Sequence, residues 1–493
     1  MNSEIRNLEP KKLWNNFADL NAIPRPSKKE ERVIAFMVNF GKKLGLKTIV
    51  DPVGNVIIKK PATSGMENRK TVVMQSHLDM VHQKNSDTVF NFDTEGIKMH
   101  VVGDWVTAKG TTLGADNGLG VAAIMSVLES SDLQHPAIEA LFTIDEETGM
   151  TGAMGLEAGY LDGEILLNLD TEEDDEIDMG CAGGIDITAT RTYEMEPTPE
   201  SSTGYSIAVT GLNGGHSGMD IHKGLGNANK IMNRILFEGS ENFELRISEI
   251  NGGSLRNAIP RESFSLVSID TKSKEPFDFE IKELITIIKE EFSNIEPNLS
   301  IEITATELPK NVMNLGIQEQ FLKAIYTALN GVYKMSSSFD DLVETSNNIA
   351  KIIAKDGEIT INCLTRSSSE TSKLDLANSL RSAFELAGFE VAFTGSYPGW
   401  QPNVNSEILG VLSKLYENLH GKKAKIAACH AGLECGILGE NYPEMDMISF
   451  GPTITGAHSP DESANIPSSQ KFWKFLVAVL KNIPLSLKVK NNS

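Results

Sequence analysis

Two adjacent glutamates, Glu146 and Glu147, follow the apolar run Leu141-Phe142-Thr143-Ile144 inside the stretch Asp145-Glu146-Glu147-Thr148-Gly149. A short apolar run of this kind reads as a buried strand, and an open α/β sheet presents the residues just beyond its strands to a crevice. Successive side chains diverge on extended or turning backbone. The pair can therefore serve two neighbouring purposes, one glutamate as a metal ligand and the other as a proton acceptor. Paired acids by themselves make ordinary solvated surface; these two have company.

Thr71-Val72-Val73-Met74-Gln75 is a second apolar run, and it ends in Ser76-His77-Leu78-Asp79. Two residues apart on extended backbone, His77 and Asp79 point to one side, so the carboxylate can hold one ring nitrogen while the other binds a metal. Glu164-Ile165-Leu166-Leu167-Asn168-Leu169 ends in Asp170, and Met447-Ile448-Ser449-Phe450 leads into Gly451–Glu462, which carries His458. Between them, Gly110-Thr111-Thr112-Leu113-Gly114-Ala115-Asp116-Asn117-Gly118 feeds a helix over Leu119–Leu128. Asp116 and Asn117 could be plain helix caps, but the glycines suggest backbone threaded close to something. The missing Gly-Lys-Ser/Thr and the acid in the loop, which would repel it, argue against a phosphate. Nitrogen and carboxylate donors in this mix suit zinc, with manganese or cobalt as substitutes. Two histidines and three carboxylates suffice for two ions if one carboxylate bridges.

The elements that must position these residues follow from periodicity. Leu13, Phe17 and Leu20 form the stripe of a first helix after Glu9-Pro10, which ends before Pro24-Arg25-Pro26. Ser27 and Glu30 have capping-box spacing for a second helix carrying Val33, Met37 and Phe40. Seven of the nine residues from Asp170 to Asp178 are acidic and read mostly as a solvated loop. From about residue 186 strands alternate cleanly, Tyr205, Ile207 and Val209 on one face and Ser206, Ala208 and Thr210 on the other. Strands are expected at Phe243–Ile247, Phe264–Ile269, Ile301–Ile303, Ile359–Cys363 and Phe389–Phe393, separated by helical stripes. This predicts an α+β domain over 186–396, built as a doubled β-α-β unit and inserted into a catalytic α/β domain made of residues 1–185 and 397–493. The last element is a helix over Phe472–Leu480, followed by a basic, polar tail expected to fray.

Composition narrows the function. A formal charge of −22 argues against nucleic acid or an anionic membrane as partner, since both need a basic face. The start of the chain has no apolar core behind a basic end, and no apolar run approaches a membrane span. Cys181, Cys363, Cys429 and Cys435 form no Cys-x-x-Cys pair, which suits reduced thiols in a cytoplasmic protein.

Taken together, Ser76–Val81, Thr112–Gly118, Asp145–Gly149, Asn168–Glu173, Gly214-Gly215-His216-Ser217-Gly218, Asn251–Arg261, His430–Gly436 and Gly451–Glu462 resemble the co-catalytic zinc exopeptidases that include aminoacylases and carboxypeptidases. In detail they are similar to the aminoacyl-histidine dipeptidase branch, whose substrates are β-alanyl-histidine and other Xaa-His dipeptides. The resemblance implies a zinc-exopeptidase-like mixed sheet flanked by helices, with the inserted domain as a lid. It implies two Zn²⁺ per chain, with Asp116 bridging, His77 and Asp170 completing one ion, and Glu147 and His458 the other. Glu146 would be the general base, Asp79 would orient His77, and His216 of the inserted domain would donate to the oxyanion. Two cations roughly 3.5–4 Å apart can share a water, bring its pKa toward neutrality and polarise the scissile carbonyl.

Small dipeptides are the expected partners. For their carboxylate, Arg366, expected on a polar loop after Ile361-Asn362-Cys363-Leu364, and Arg261 are candidates because guanidinium matches carboxylate bidentately. Asn257 and the backbone of Gly432 are further candidates, and Glu172, Glu173 or Asp461 could meet the amine. Each is equally readable as a structural or surface residue. An N-acyl amino-acid deacylase or carboxypeptidase would use the same metals and base, and a metal-binding protein without activity would be expected to lack Glu146. Monomer and homodimer both stay open.

Overall fold

Four short strands lie side by side in one direction. Val72–His77 pairs in parallel with Ile138–Thr143 on one side and Ile165–Asn168 on the other, and Asp446–Ser449 pairs in parallel with Ile165–Asn168. Every residue of the first three is buried, which is why they read as continuous apolar runs rather than as alternating ones. Because all four run the same way, their carboxyl ends share one edge. That edge leads into residues 78–79, 145–147, 170 and 451–458. The structure, a computed structural model, describes residues 4–339 and 341–487. The tail expected to fray lies, from residue 488, outside the described residues.

The chain divides into two units, one of residues up to Gly180 with Trp400–Ala428 and Leu433 onward, the other of Cys181–Gly399 with Cys429–Gly432. In the first, the eight-stranded sheet runs in the order Lys47–Val50, Val56–Lys60, Ile138–Thr143, Val72–His77, Ile165–Asn168, Asp446–Ser449, Glu176–Cys181, Lys425–Cys429. The helix Ala115–Leu128 packs against Val72–His77 and against the helix Lys11–Leu20. It is apolar all round and buried at every residue but Asp116, as a helix covered on all sides must be. A small antiparallel sheet pairs Ile454–Thr455 with Ser463–Asn465 and the latter with Trp105–Ala108, so His458 sits on the connection of a pinned hairpin.

In the second unit the sheet order is Ser300–Thr306, Ser202–Thr210, Ser263–Asp270, Arg246–Gly252, Val343–Lys355, Glu358–Ser367, Gly183–Thr192, Glu390–Tyr397. Strands 202–210, 246–252, 263–270 and 300–306 with helices Ala228–Phe243 and Lys274–Phe292 make one β-α-β-β-α-β set. Strands 183–192, 343–355, 358–367 and 390–397 with Leu315–Thr327 and Glu370–Leu386 make a second. The two sets join edge to edge where Arg246–Gly252 pairs antiparallel with Val343–Lys355. Their shared apolar core includes Ile207, Ile235, Phe277, Phe321, Ile361 and Phe384.

Three local expectations are corrected. Ser27 and Glu30 form no capping box: the Ser27 hydroxyl donates to Asp79 at 2.8 Å, and Glu30 accepts from the Lys28 amide at 2.8 Å. Phe243 does not begin a strand. It closes a helix, Glu244 turns through φ +56°, and the strand starts at Arg246; the alternation of Phe243, Leu245 and Ile247 spans a helix end and a strand start that bury the same core. Arg366 lies not on a loop but within the strand Glu358–Ser367, where it is 4% exposed.

Candidate metal centre

The strand edge gathers the acids and histidines. Ligand-capable atoms of His77, Asp116 and Asp170 lie within 4.8 Å of one another, as do those of Asp116, Glu147 and His458 and those of His77, Glu146 and Glu147. His77 Nε2 is 3.1 Å from Asp116 Oδ1 and 3.6 Å from Asp170 Oδ1. His458 Nε2 is 3.1 Å from Asp116 Oδ2 and 2.9 Å from Glu147 Oε2. The two oxygens of Asp116 thus face two different imidazoles. Asp79 Oδ1 stands 3.4 Å from the other ring nitrogen of His77.

The electrostatics of this pocket suit cations. Burial pushes Asp170 up to about 7, against the pull of His77, and burial with Asp116 and Asp170 pushes Glu172 up to about 8. Glu146 is raised well above the carboxylate range by burial, with Asp170 and Glu147 adding to it against His77. Hydrogen bonds with Asp116 and Glu147 lift His458 to about 11, although more than half its side chain is exposed. His77 also rises despite burial, because Asp170, Asp116 and Asp79 surround it. Asp116 moves the other way: burial is outweighed by the two histidines. Glu147 Oε1 is buried without a partner. More carboxylates than the histidines can neutralise, with an orphaned oxygen among them, fit divalent cations, and the donor groups that could hold them include His77, Asp116 and Asp170 and Asp116, Glu147 and His458.

The loops that carry these donors are tied by buried groups. Asp79 accepts from the amides of Glu146 at 3.0 Å and Glu147 at 3.3 Å, so it fixes the glutamate turn as well as facing His77. Asp145, at φ +54°, accepts from Lys28, Thr148 and Thr151 and winds the chain into the short helix Glu146–Gly149. Arg25, 1% exposed, donates to the carbonyls of Leu78 at 3.0 Å, Asp79 at 2.8 Å and Gly114. A Cβ on Gly114 or Gly118 would sit 2.6 or 2.7 Å from this guanidinium, so the object threaded closely by the glycine-rich turn is Arg25. Asp116 and Asn117 keep non-helical angles instead of capping, and the Asn117 side chain donates through Nδ2 to Asp170 Oδ1.

One layer below the edge runs a polar ladder. Gln75, Asn168, Ser449 and Asp178 are register partners on four neighbouring strands. Glu434, fully buried, accepts from Gln75 and Thr143 at 2.6 Å each; Gln75 accepts from Asn168, and Asn168 from Ser449. Ser449 and Thr171 lie 2.8 Å apart, and Thr171 is 2.8 Å from Asp178. Asp178 is therefore not part of a solvated acidic loop; it begins a ladder, and the strand Glu176–Cys181 takes it inside.

In the second unit, His216 Nδ1 accepts from the amides of Gly218 at 3.2 Å and Met219 at 3.0 Å. A neutral ring so held carries its proton on Nε2, the nitrogen 3.5 Å from Arg366 Nη2. With Nε2 protonated this contact faces donor to donor and is no hydrogen bond; Arg366 Nη1 donates instead to the Tyr397 hydroxyl at 2.9 Å. Nearby, burial and then Arg366 and His216 push His430 down to about 3. Asn257 is exposed and its carbonyl accepts from the Ser217 amide at 2.8 Å. Arg261 is exposed, its Nε spent on the Leu212 carbonyl at 3.0 Å. Gly432 is half-buried, Glu172 half-buried beside Asp116, and Glu173 and Asp461 exposed.

Imidazoles and carboxylates converging at the carboxyl ends of the parallel strands of a mixed α/β sheet are the arrangement expected of a metal-dependent hydrolase. Comparison with known proteins makes this specific. Residues 73–482 match peptidase family M20/M25/M40, and the chain belongs to this family of metallopeptidases. It is 42% identical over 482 residues to the cytosol non-specific dipeptidase of Escherichia coli, covering 98% of this chain and 99% of that one. The crystal structure of aminoacylhistidine dipeptidase from Vibrio alginolyticus superposes with a TM-score of 0.90 at 45% identity, covering 98% and 99% of the two chains. An aminopeptidase from Bacillus cereus shares the fold, with a TM-score of 0.56 at 15% identity over 97% and 99% of the chains.

Proposed function

We propose that this metallopeptidase is a dipeptidase that hydrolyses Xaa-His and other dipeptides, β-alanyl-histidine among them, with two zinc ions per chain. The observation that carries the metal chemistry is Asp116, whose two oxygens face the imidazoles of His77 and His458 separately. The substrate class rests on the two full-length relatives. Bound, the ions supply Lewis-acid polarisation of the scissile carbonyl and acidify the attacking water.

In this reading Glu146 takes the proton from that water and returns it to the leaving amine, while Asp79 holds both His77 and the turn that aims Glu146. Residues 186–396 act as a lid domain, and His216 Nε2–H donates to the developing oxyanion. Arg366 binds the substrate carboxylate; Asn257, Gly432 and Arg261 are secondary candidates. A cytoplasmic location accords with the description of the E. coli relative, and no helix among the described residues is long and apolar enough to cross a membrane.

The test is hydrolysis of β-alanyl-histidine, a dipeptide without histidine, a tripeptide and an N-acetyl amino acid, with metal stripped and zinc restored. Zinc-dependent cleavage confined to dipeptides is expected. Cleavage of the N-acetyl compound alone would keep the family and move the reaction to deacylation. His216→Ala should fold normally and lower kcat by roughly 10²-fold or more, the usual loss for one oxyanion donor; an unchanged kcat would remove it from the reaction.

A further inference from the structure

Glu462 has no assigned role in the chemistry above, yet its carboxylate is the most heavily used acceptor near the centre. It is 2% exposed. Oε2 accepts from the amides of Leu113 at 2.7 Å and Gly114 at 2.9 Å, and Oε1 from Ala115 at 2.7 Å and Asp116 at 3.2 Å. Four consecutive N–H groups of the turn that presents Asp116 therefore end on one side chain. That side chain belongs to the His458 loop, where the Glu462 amide donates back to Ser459 at 3.1 Å and Ser459 to Gly456 at 3.2 Å.

The two halves of the centre are supported differently. His77 closes a buried strand and Asp170 lies two residues beyond a parallel neighbour, so the sheet holds both. His458 stands on an exposed connection at φ +63°. Its alignment with Asp116 depends on how the two loops are joined. Glu462 joins them through charge-assisted hydrogen bonds, about twice as strong as neutral ones.

We propose that Glu462 is a positioning residue that registers the His458 loop on the Asp116 turn, and that it specifically sets the affinity of the ion held by Asp116, Glu147 and His458. The role rests on the two-ion reading above. Glu462→Gln keeps the size but turns an amide N–H₂ toward two backbone donors, so one side of the cradle is lost.

The experiment is zinc titration of metal-stripped protein against a competing chelator, with melting of the metal-free form measured alongside. Wild type should bind two equivalents. Glu462→Gln should melt close to wild type without metal, keep one equivalent at wild-type affinity, and bind the other roughly 10–100-fold more weakly, the usual scale for a group that orients a ligand. Two equivalents at wild-type affinity would overturn the role. So would equal weakening of both with a lowered metal-free melting point, the mark of general support. Should the amide variant fail to fold, Glu462→Asp, one methylene too short to span four donors, undergoes the same titration and is judged by the same outcomes. Fewer than two equivalents in wild type would refute the two-ion reading itself, and the role with it.

Discussion

Glu146→Ala is expected to keep both zinc equivalents and to lose turnover by roughly 10²–10⁴-fold, the contribution of a positioned general base. The separation follows from where the pair of glutamates points. Glu147 Oε2 lies 2.9 Å from His458 Nε2 within one donor group, whereas Glu146 makes no ion pair with either histidine among the described residues. Its backbone, not its carboxylate, is what Asp79 holds. Truncating the side chain leaves the turn and the donors in place and removes the proton acceptor. Retention of wild-type turnover would show that another group takes the proton, with Glu172, half-buried beside Asp116, the first to examine.

Asp116→Ala should abolish zinc binding altogether, and activity with it. Each proposed ion has Asp116 as one of its three protein donors, so a single truncation leaves both groups with two. Metal also stabilises the folded chain by mass action: at zinc 1,000 times its dissociation constant, one site contributes about 4 kcal/mol. Wild type should therefore melt at a higher temperature with zinc than without, and Asp116→Ala at the same temperature in both. A variant that still gained stability from zinc would show that the carboxylate does not bridge.

The site was legible in the sequence where chemistry follows directly on a strand. His77, Asp170 and the Glu146-Glu147 pair each come within four residues of a run buried on both faces, and such runs are recognisable without knowing their neighbours. The supports were not legible, because their partners are set by the tertiary fold. Glu462 and Leu113 are 349 residues apart, and Arg25 and Gly114 are 89 apart. Arg25 sat between two prolines and read as a break. The one available signal was the pair Gly114 and Gly118, which demanded a close neighbour without naming it. In the inserted part, the alternation of Tyr205, Ile207 and Val209 matched the observed strand, while Phe243 and Arg366 were misplaced because a short apolar or polar run does not record whether it belongs to a helix end, a loop or a strand.

The ladder below the centre can be read as a count of hydrogens. Its far end has three links, Ser449 to Asn168, Ser449 to Thr171 and Thr171 to Asp178, but the two hydroxyls own only two protons. With Thr171 donating to Asp178 and Ser449 to Asn168, the contact between Ser449 and Thr171 has no hydrogen of its own. Burial pushes the Asp178 carboxyl up to about 6, against the hydrogen bond from Thr171, and a proton there would supply the missing one. With that proton in place Thr171 would turn its hydrogen to Ser449 instead of Asp178, and every donor would point one way, from Asp178 through Thr171, Ser449, Asn168 and Gln75 to Glu434. Once it is lost, one link lapses. A group whose pKa is raised on folding stabilises the native state most at low pH, so this link's contribution is whole below the ordinary aspartate value and fades as pH rises through about 6. In a chain with a net charge of −22, the floor beneath a cluster of acids contains an aspartate whose last link closes only when it is uncharged.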